Sequence, residues 1–435
     1  MVDFGRSDDP GVQAQLDRLS ELSVPQGRFG LQTITALMDR LGNPHRNLPP
    51  VFHVAGTNGK GSTCAFLRAI LEADGKRVHV TTSPHLVRYN ERIRLAGELI
   101  GDAHLAALLE EVLDVSTDLG PSFFEVTIAA AFLAFSRTPA DACIVEVGLG
   151  GRFDATNVLE PAAVAVSGIA ALGLDHERFL LAPEEGTPEA PIARIAFEKA
   201  GIAKKMVPLV SLDQPPEATR QIIVRAESMG CPLALRGDDW SNKIVQDGQG
   251  ERQIYRDAAG EMSLPLPGLS GPHQIANAGL AIAMLRHQDD MCVSPEAYAK
   301  GLTQATWPGR CQPLADGPLS QGREVWVDGG HNPSAGEAMA QFWAGREIHL
   351  VIGMLSNKNP DAIIEPLSSV CASVTVVPVP GHDWHPVQAF GTQATFAANL
   401  PEALTSVPRD ERPVCITGSL YLVGEALRLN GQLPE

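Results

Sequence analysis

The chain has 435 residues, enough for two or three domains with full hydrophobic cores. Its 44% hydrophobic and 20% charged residues are those of an ordinary globular protein and exclude a largely disordered one. With 34 Lys and Arg against 51 Asp and Glu, the formal charge is −17, which disfavours nucleic acid and anionic membranes as partners but leaves room for a small anionic ligand held by a few local donors.

In chain order, apolar β-branched runs at 51–55, 78–82, 142–147, 162–166 and 207–211 have the length of buried strands. Helical patterns fall between them, at 62–73, 103–113 and 124–135. Strands alternating with helices predict parallel βαβ units covered on both faces. Residues 232–267 break the rhythm. There, 244–246 and 253–255 flank Asp247-Gly248-Gln249-Gly250, which predicts a hairpin and a small antiparallel patch. Helices are expected from about 272 to 286 and from 295 to about 303. Trp307-Pro308-Gly309-Arg310 interrupts the pattern, and a second alternation follows. It reads as strand 324–327, a helix from 334, strand 348–352, a helix near 360–369, strands 374–377 and 414–417, and a last helix from 420. The fold class is therefore α/β in two parts: residues 1–305, with a mostly parallel sheet and the antiparallel patch, and a smaller part, 306–435.

Seven dispersed cysteines, with no Cys-x-x-Cys, imply reduced thiols in the cytoplasm, neither a disulfide framework nor a Cys-rich zinc site. The N-terminal MVDFGRSDDPG has no apolar core behind a basic start, so no signal peptide is expected. The most apolar run, 126–135, is too short to span a bilayer. No oligomerisation surface stands out, and a monomer is expected. His382 and His385 lie close together, but no third ligand supports zinc there.

The first strand runs into Gly56-Thr57-Asn58-Gly59-Lys60-Gly61-Ser62, with a helix pattern behind it. This is the chemistry of a phosphate cradle. Glycines let backbone N–H groups converge on an anion, Lys60 reaches the outer phosphates, and Ser62 can hold Mg²⁺. It departs from the common phosphate loop: Gly61 separates Lys60 from Ser62, and the first glycine stands nearer the Gly-Lys pair. A bare glycine turn is the plainer alternative. Gly148-Leu149-Gly150-Gly151-Arg152-Phe153 also follows a strand, but Phe153 occupies the place of the third glycine of a dinucleotide fingerprint. A tight substrate-facing loop fits better than NAD.

Glu146 ends the strand 142–147, at the edge where α/β sheets place ligands. A carboxylate there is costly to bury unless it meets a cation; an exposed edge-strand Glu is the alternative. Ser83 and the pair Asp175-His176 follow strands in the same way. A hydroxyl, a carboxylate and an imidazole on one edge beside a phosphate loop suit Mg²⁺ between nucleotide and substrate. Lys199 lies near a helix end, where compensation of the helix dipole is its simplest role.

Together these segments resemble the folylpolyglutamate synthase/dihydrofolate synthase family of ATP-dependent amide ligases, relatives of the Mur ligases. The resemblance rests on GTNGKGS (56–62), TTSPHLVRYNERIR (81–94), FFE (123–125), VEVGLGGRFDATN (145–157), LDH (174–176), EKAGIAK (198–204), HQIANAGLA (273–281), PGR (308–310) and DGGHNP (328–333), nine motifs in the family's order. It implies an N-terminal P-loop NTPase-like domain and a C-terminal Rossmann-like domain, with the active site between them. It also implies two Mg²⁺ ions and ATP as co-substrate. ATP would phosphorylate the carboxylate of dihydropteroate or a reduced folate, and the amine of L-glutamate would attack the acyl phosphate.

By resemblance, Thr57, Asn58, Gly59, Lys60, Gly61 and Ser62 hold the ATP phosphates, and Asn277, Arg310 and Asp328 contact the nucleotide. Ser62, Ser83, Glu146 and His176 match the metal ligands, joined by Lys199 as its carbamate. His331 matches a histidine near the reaction centre, a candidate to take the proton of the attacking amine. Phe29, Gly30, Leu31, Ser122, Phe123, Phe124, Glu125, Phe153, Asp154 and Ala155 fall where the family binds its pterin, with Phe124 offering an aromatic face. One departure is visible: the interval between His176 and Lys199 exceeds the family's usual length, through a Pro- and Glu-rich stretch at 181–191 that reads as a surface loop. Two other readings are a Mur-type ligase acting on a peptidoglycan precursor and a P-loop switch that binds ATP without catalysis. FFE, GLGGRFDATN and the lack of an extra N-terminal domain argue against the Mur-type reading. The switch predicts ATP turnover indifferent to a carboxylate and an amino acid.

Overall fold

A computed structural model describes residues 7–22, 30–248 and 250–434. The chain divides into two compact units, Met1–Gly268 with Ile275–Thr306, and Leu269–Gln274 with Trp307–Glu435. The first is built on an eight-stranded sheet: β1 (Val51–Ala55), β2 (Val78–Thr81), β3 (Ile93–Leu95), β4 (Glu98–Leu99), β5 (Ala142–Glu146), β6 (Val164–Ile169), β7 (Leu209–Ser211) and β8 (Leu233–Leu235). Their order is β4-β3-β2-β5-β1-β6-β7-β8. The six strands from β2 to β8 run parallel, and the short β3 and β4 add an antiparallel margin.

Every residue of β1 and β5 is buried, as expected for strands covered on both faces by helices. That placement removes the edge-strand alternative for Glu146, because β5 lies between β2 and β1. The apolar run at 126–135 forms most of the helix Phe123–Arg137, buried along that whole stretch. A helix apolar on all sides belongs inside the core, and this one packs against the helix Asp102–Val115. The helix Lys60–Ala73 meets Pro295–Gln304 so closely that a Cβ on Gly301 would lie 2.5 Å from the Ile70 backbone nitrogen.

The expected hairpin is a three-stranded antiparallel sheet, with β9 (Ser241–Asp247) and β10 (Gly250–Asp257) joined by β11 (Gly260–Leu264). The turn at 258–259 had no strong signal in the sequence. Tyr255 on β10 stacks on Trp240 and anchors that sheet. Helices Pro10–Ser20, Gln32–Arg40 and Pro216–Met229 complete the unit beyond those singled out by periodicity.

The second unit carries β12 (Gln312–Pro313), β13 (Val325–Val327), β14 (Ile348–Ile352), β15 (Cys371–Val376), β16 (Thr395–Phe396) and β17 (Val414–Thr417). They are ordered β12-β13-β17-β14-β15-β16, parallel except for β12. Its core gathers Ile348, Leu350, Ile352, Met339 and Trp343. No helix among the described residues is long and apolar enough to cross a membrane, and all seven cysteines are free. His382 packs on Tyr421 while His385 bonds the Lys358 carbonyl, so each has a structural occupation.

Filling the contact at Gly301 tests the packing under the phosphate-loop helix. Gly301→Ala should cost about 1–3 kcal/mol, because the obstructing atoms are backbone and cannot swing aside. Urea denaturation reads this as a lower midpoint; an unchanged midpoint would mean that the two helices do not touch there.

Candidate active site

The phosphate loop is shaped by two glycines with positive φ, Gly56 at 154° and Gly59 at 85°. Both are also crowded. A Cβ on Gly56 would press on Ala170, and one on Gly59 would strike the amide of the buried Asn277. The loop is tied to the segment after β6: Thr57 and Asn58 N–H groups donate to the Ala171 carbonyl, and Thr57 Oγ1 donates to the Gly173 carbonyl at 2.9 Å. Gly59 caps the helix that opens with Lys60, so the first helical N–H groups face the loop. Gly61 and Ser62 form its first turn, buried.

Lys60 Nζ donates to the Gly56 carbonyl at 3.1 Å, and Lys199 Nζ donates to the same oxygen at 2.9 Å. Lys199 is 4% exposed, near the C-terminal end of the helix Pro191–Ala200. Burial, with repulsion from Lys60, lowers its pKa to about 7, although Asp175, Asp154 and Glu198 pull the other way. A lysine held inside this way is more than a compensator of the helix dipole.

Sheet order brings the other candidates to one edge. β2, β5, β1 and β6 are parallel neighbours, so Ser83, Glu146, the phosphate loop and Asp175-His176 all follow C-terminal strand ends. Glu146 is 5% exposed, and its Oε2 accepts from the Ser83 N–H at 3.1 Å, next to the cis Ser83–Pro84 bond. His176 adopts φ 52° and its N–H donates to Asp175 Oδ1. Among the described residues no group of three or more His, Cys, Asp or Glu gathers as a metal cluster. The edge offers instead the hydroxyls of Ser62 and Ser83 with the Glu146 carboxylate, a hard oxygen set of the kind a divalent cation takes.

Of the pterin-side residues, Phe29 lies outside the described residues. Gly30 and Leu31 lead into the helix Gln32–Arg40, and Leu31 packs on the core. Phe124 lies against the backbone beyond β5, where a Cβ on Gly148 would come 2.5 Å from its Cζ. Phe123 packs edge-on to Tyr89 and lies under the guanidinium of the buried Arg92. Ser122 and Glu125 form a capping box: the Glu125 carboxylate accepts from Ser122 N–H and Oγ–H, and Ser122 Oγ accepts from Glu125 N–H. Asp154 is likewise engaged by its own loop, accepting from Leu149 N–H, Thr156 N–H and Thr156 Oγ1–H. Burial raises its pKa. These two carboxylates shape their loops. Phe153 is half-buried beneath the Arg152 guanidinium, and Ala155 is buried.

The second unit holds the remaining candidates. Asp328 accepts from Cys311 N–H and Gly330 N–H, joining the Arg310 segment to the glycine-rich turn. Arg310 Nη1 donates to its neighbour's carbonyl at Gly309. His331 Nδ1 stands 3.0 Å from the Gly329 carbonyl. A carbonyl only accepts, so Nδ1 carries the hydrogen, and Nε2 of the neutral ring holds the basic lone pair. Sequence reasoning overlooked the buried Arg194 and Glu198, whose i,i+4 spacing was a readable signal.

A glycine-shaped phosphate loop between parallel strands, with lysines and a buried carboxylate at its rim, defines a nucleotide-handling α/β protein. The chain belongs to the folylpolyglutamate synthase/dihydrofolate synthase family. It is 33% identical over 411 residues to folylpolyglutamate synthase of Lacticaseibacillus casei, covering 89% of this chain and 91% of that protein. Escherichia coli FolC in complex with DHPP and ADP superposes with a TM-score of 0.84 at 30% identity, over 96% of this chain and 97% of the other. A bifunctional folylpolyglutamate synthase/dihydrofolate synthase with Mn, AMPPNP and L-glutamate bound gives 0.81 at 29% identity, over 96% and 97%. No protein-family model matches the chain.

The Lys199 amine gives a pH signature with a definite sign. Between about pH 7 and its ordinary 10.5 the folded group binds fewer protons than the unfolded one, so its burial cost fades as pH rises. In carbonate-free buffer, stability to urea should climb from pH 7 to pH 9, and Lys199→Met should flatten that climb. Equal slopes for the two proteins would show that Lys199 is not held as an amine of lowered pKa.

Proposed function

We propose that this protein is an ATP-dependent amide ligase that joins L-glutamate to dihydropteroate and to reduced folates, and that it works as a cytoplasmic monomer. The observation that carries the reading is the convergence of Lys60 and Lys199 on one carbonyl of the phosphate loop, beside the buried Glu146, in a chain of this family. Lys60 brings positive charge to the loop where phosphate would bind, and Lys199 stands next to it as a lysine that loses its proton readily.

In the proposed reaction a carboxylate oxygen of the acid attacks the γ-phosphorus of ATP. The bond to the β-phosphate bridging oxygen breaks, and ADP and an acyl phosphate result. The neutral amine of glutamate then attacks the acyl carbon, the carbon–oxygen bond to phosphate breaks, and an amide and phosphate remain. The amine's surplus proton leaves through His331 Nε2, the basic nitrogen of a ring oriented by the Gly329 carbonyl.

Phosphoryl transfer needs charge neutralisation and alignment more than covalent help. Gly59 and Gly61 supply backbone N–H groups to the phosphates, Thr57 and Asn58 tie the loop to the Ala171 carbonyl, and Lys60 swings from the Gly56 carbonyl to the outer phosphate. Asn277, Arg310 and Asp328 serve the nucleotide, Arg310 directly and Asp328 by holding its segment. Gly30, Leu31, Phe123, Phe124, Phe153 and Ala155 form the pterin wall with Phe29, while Ser122, Glu125 and Asp154 hold that wall's backbone. Mg²⁺, in two sites, suits Ser62, Ser83, Glu146, His176 and carbamylated Lys199, and when bound it neutralises phosphate charge. The pKa of about 7 leaves a large share of Lys199 neutral near physiological pH. Its nitrogen can add to carbon dioxide, lose a proton, and become an anion beside Lys60.

Three outcomes test this reading. ADP release should require both dihydropteroate and L-glutamate; turnover indifferent to either would leave a nucleotide-binding switch. Glu146→Gln should lower kcat by about 10²-fold or more while the thermal melt moves only a few degrees, whereas global unfolding would make Glu146 a scaffold residue. Intact mass in bicarbonate should show one added carboxylate, absent from Lys199→Met, and a mass unmoved by bicarbonate would remove the carbamate from the proposal.

A further inference from the structure

The Pro- and Glu-rich stretch 181–191 is mostly exposed, as its composition predicts, but one side chain turns inward. Glu184 pairs with two arginines of the first unit, bidentate with Arg152 and at 3.0 Å with Arg194. Arg152 is gripped from its other side by Glu198, with Nε–Oε2 at 3.1 Å and Nη2–Oε1 at 2.8 Å. Arg194 also reaches Glu198 and donates from Nε to the Leu180 carbonyl. Two arginines and two glutamates thus form one balanced cluster of partly and fully buried charge.

The geometry fixes Arg152 in its plane and leaves its faces available. Bidentate carboxylates on two sides specify the orientation of a guanidinium, which a single ion pair does not. Its carbon stands 4.1 Å from the centre of the Phe153 ring and 4.9 Å from that of Phe197. The backbone is held equally firmly: Arg152 N–H donates to the Glu198 carbonyl at 2.8 Å, and a Cβ on Gly151 would lie 2.9 Å from the Glu198 and Lys199 carbonyl oxygens. Phe153 is packed into none of the hydrophobic clusters described above. The guanidinium lies over its ring at 4.1 Å.

From this arrangement we propose that Glu184 is a positioning residue: by pinning Arg152 against Glu198 it sets the Phe153 ring as one wall of the subsite for the flat, aromatic carboxylic acid substrate. The inference rests on the ligase reading above, and deepens it by giving the long interval between His176 and Lys199 a task. A carboxylate from the inserted stretch completes a clasp that Glu198 alone would leave one-sided, and a one-sided Arg152 lets the ring tilt.

The test compares wild type, Glu184→Gln, Glu185→Gln as a control at the exposed neighbour, Phe153→Leu, and Glu184→Gln with Phe153→Leu. ADP release is measured while dihydropteroate, ATP and L-glutamate are varied in turn. Glu184→Gln should raise KM for dihydropteroate about three- to tenfold, the scale of a lost cation–ring contact, with KM for ATP and L-glutamate within twofold of wild type. In the Phe153→Leu background the same change should add nothing, because the effect travels through that ring. A KM for dihydropteroate equal to wild type, an equal loss in all three substrates, or an additive loss in the double variant overturns the proposal. Should Glu184→Gln not fold, Glu184→Asp, which keeps the charge on a shorter stem, must show the same selective rise. A wild type that turns over without dihydropteroate fails at the earlier step, since it removes the ligase reading itself.

Discussion

Two ammonium groups donate to one carbonyl oxygen, that of Gly56, and much of the first unit is arranged around that crowding. Like charges at such range repel, and burial strengthens the repulsion because the surroundings screen it poorly. The protein tolerates it by yielding on protonation at Lys199, whose pKa falls to about 7. It also surrounds the pair with acids, Asp175, Asp154 and Glu198, whose negative charge favours the protonated amine. An anion entering the loop relieves the repulsion.

Holding this arrangement requires a rigid frame. Parallel strands with both faces covered bring their C-terminal ends to one edge, so residues far apart in sequence become neighbours without any local signal linking them. The frame is tightened where side chains are absent. Gly56, Gly59, Gly148, Gly151 and Gly301 each sit where a Cβ would press on another segment, so five glycines set how closely loop, helix and strand approach. Close approach of this kind fixes position, and the Arg152 guanidinium lies directly against the Phe153 ring.

The charge of −17 is compatible with all this because a few cations suffice locally. Lys60, Lys199, Arg152 and Arg194 gather in the first unit near the loop or the clasp, whereas many acids are spread over the exposed surface. Net charge governs solubility and the exclusion of polyanions, while local donors govern which small anions bind.

Much of the site was readable in one dimension. GTNGKGS carries its own mechanism, since only glycine tolerates such backbone angles and only a lysine at the helix start reaches outward. Burial alternation and β-branched runs placed the main strands within a few residues, and Glu146 was legible as a polar residue ending an apolar strand. What stayed hidden was pairing between distant positions. The inward turn of Glu184 depends on which segment folds beside which, whereas the capping roles of Glu125 and Asp154 are local, and the Ser122-x-x-Glu125 spacing was readable but unread. By itself the sequence determined the elements, the phosphate loop and the inventory of charged groups, because these follow from backbone preference and local periodicity. Only the tertiary structure decided the strand order that puts β5 in the middle of the sheet, the second lysine on the Gly56 carbonyl, and the carboxylates around Arg152. Those are contacts across 143, 46 and 32 residues, and no local propensity encodes them.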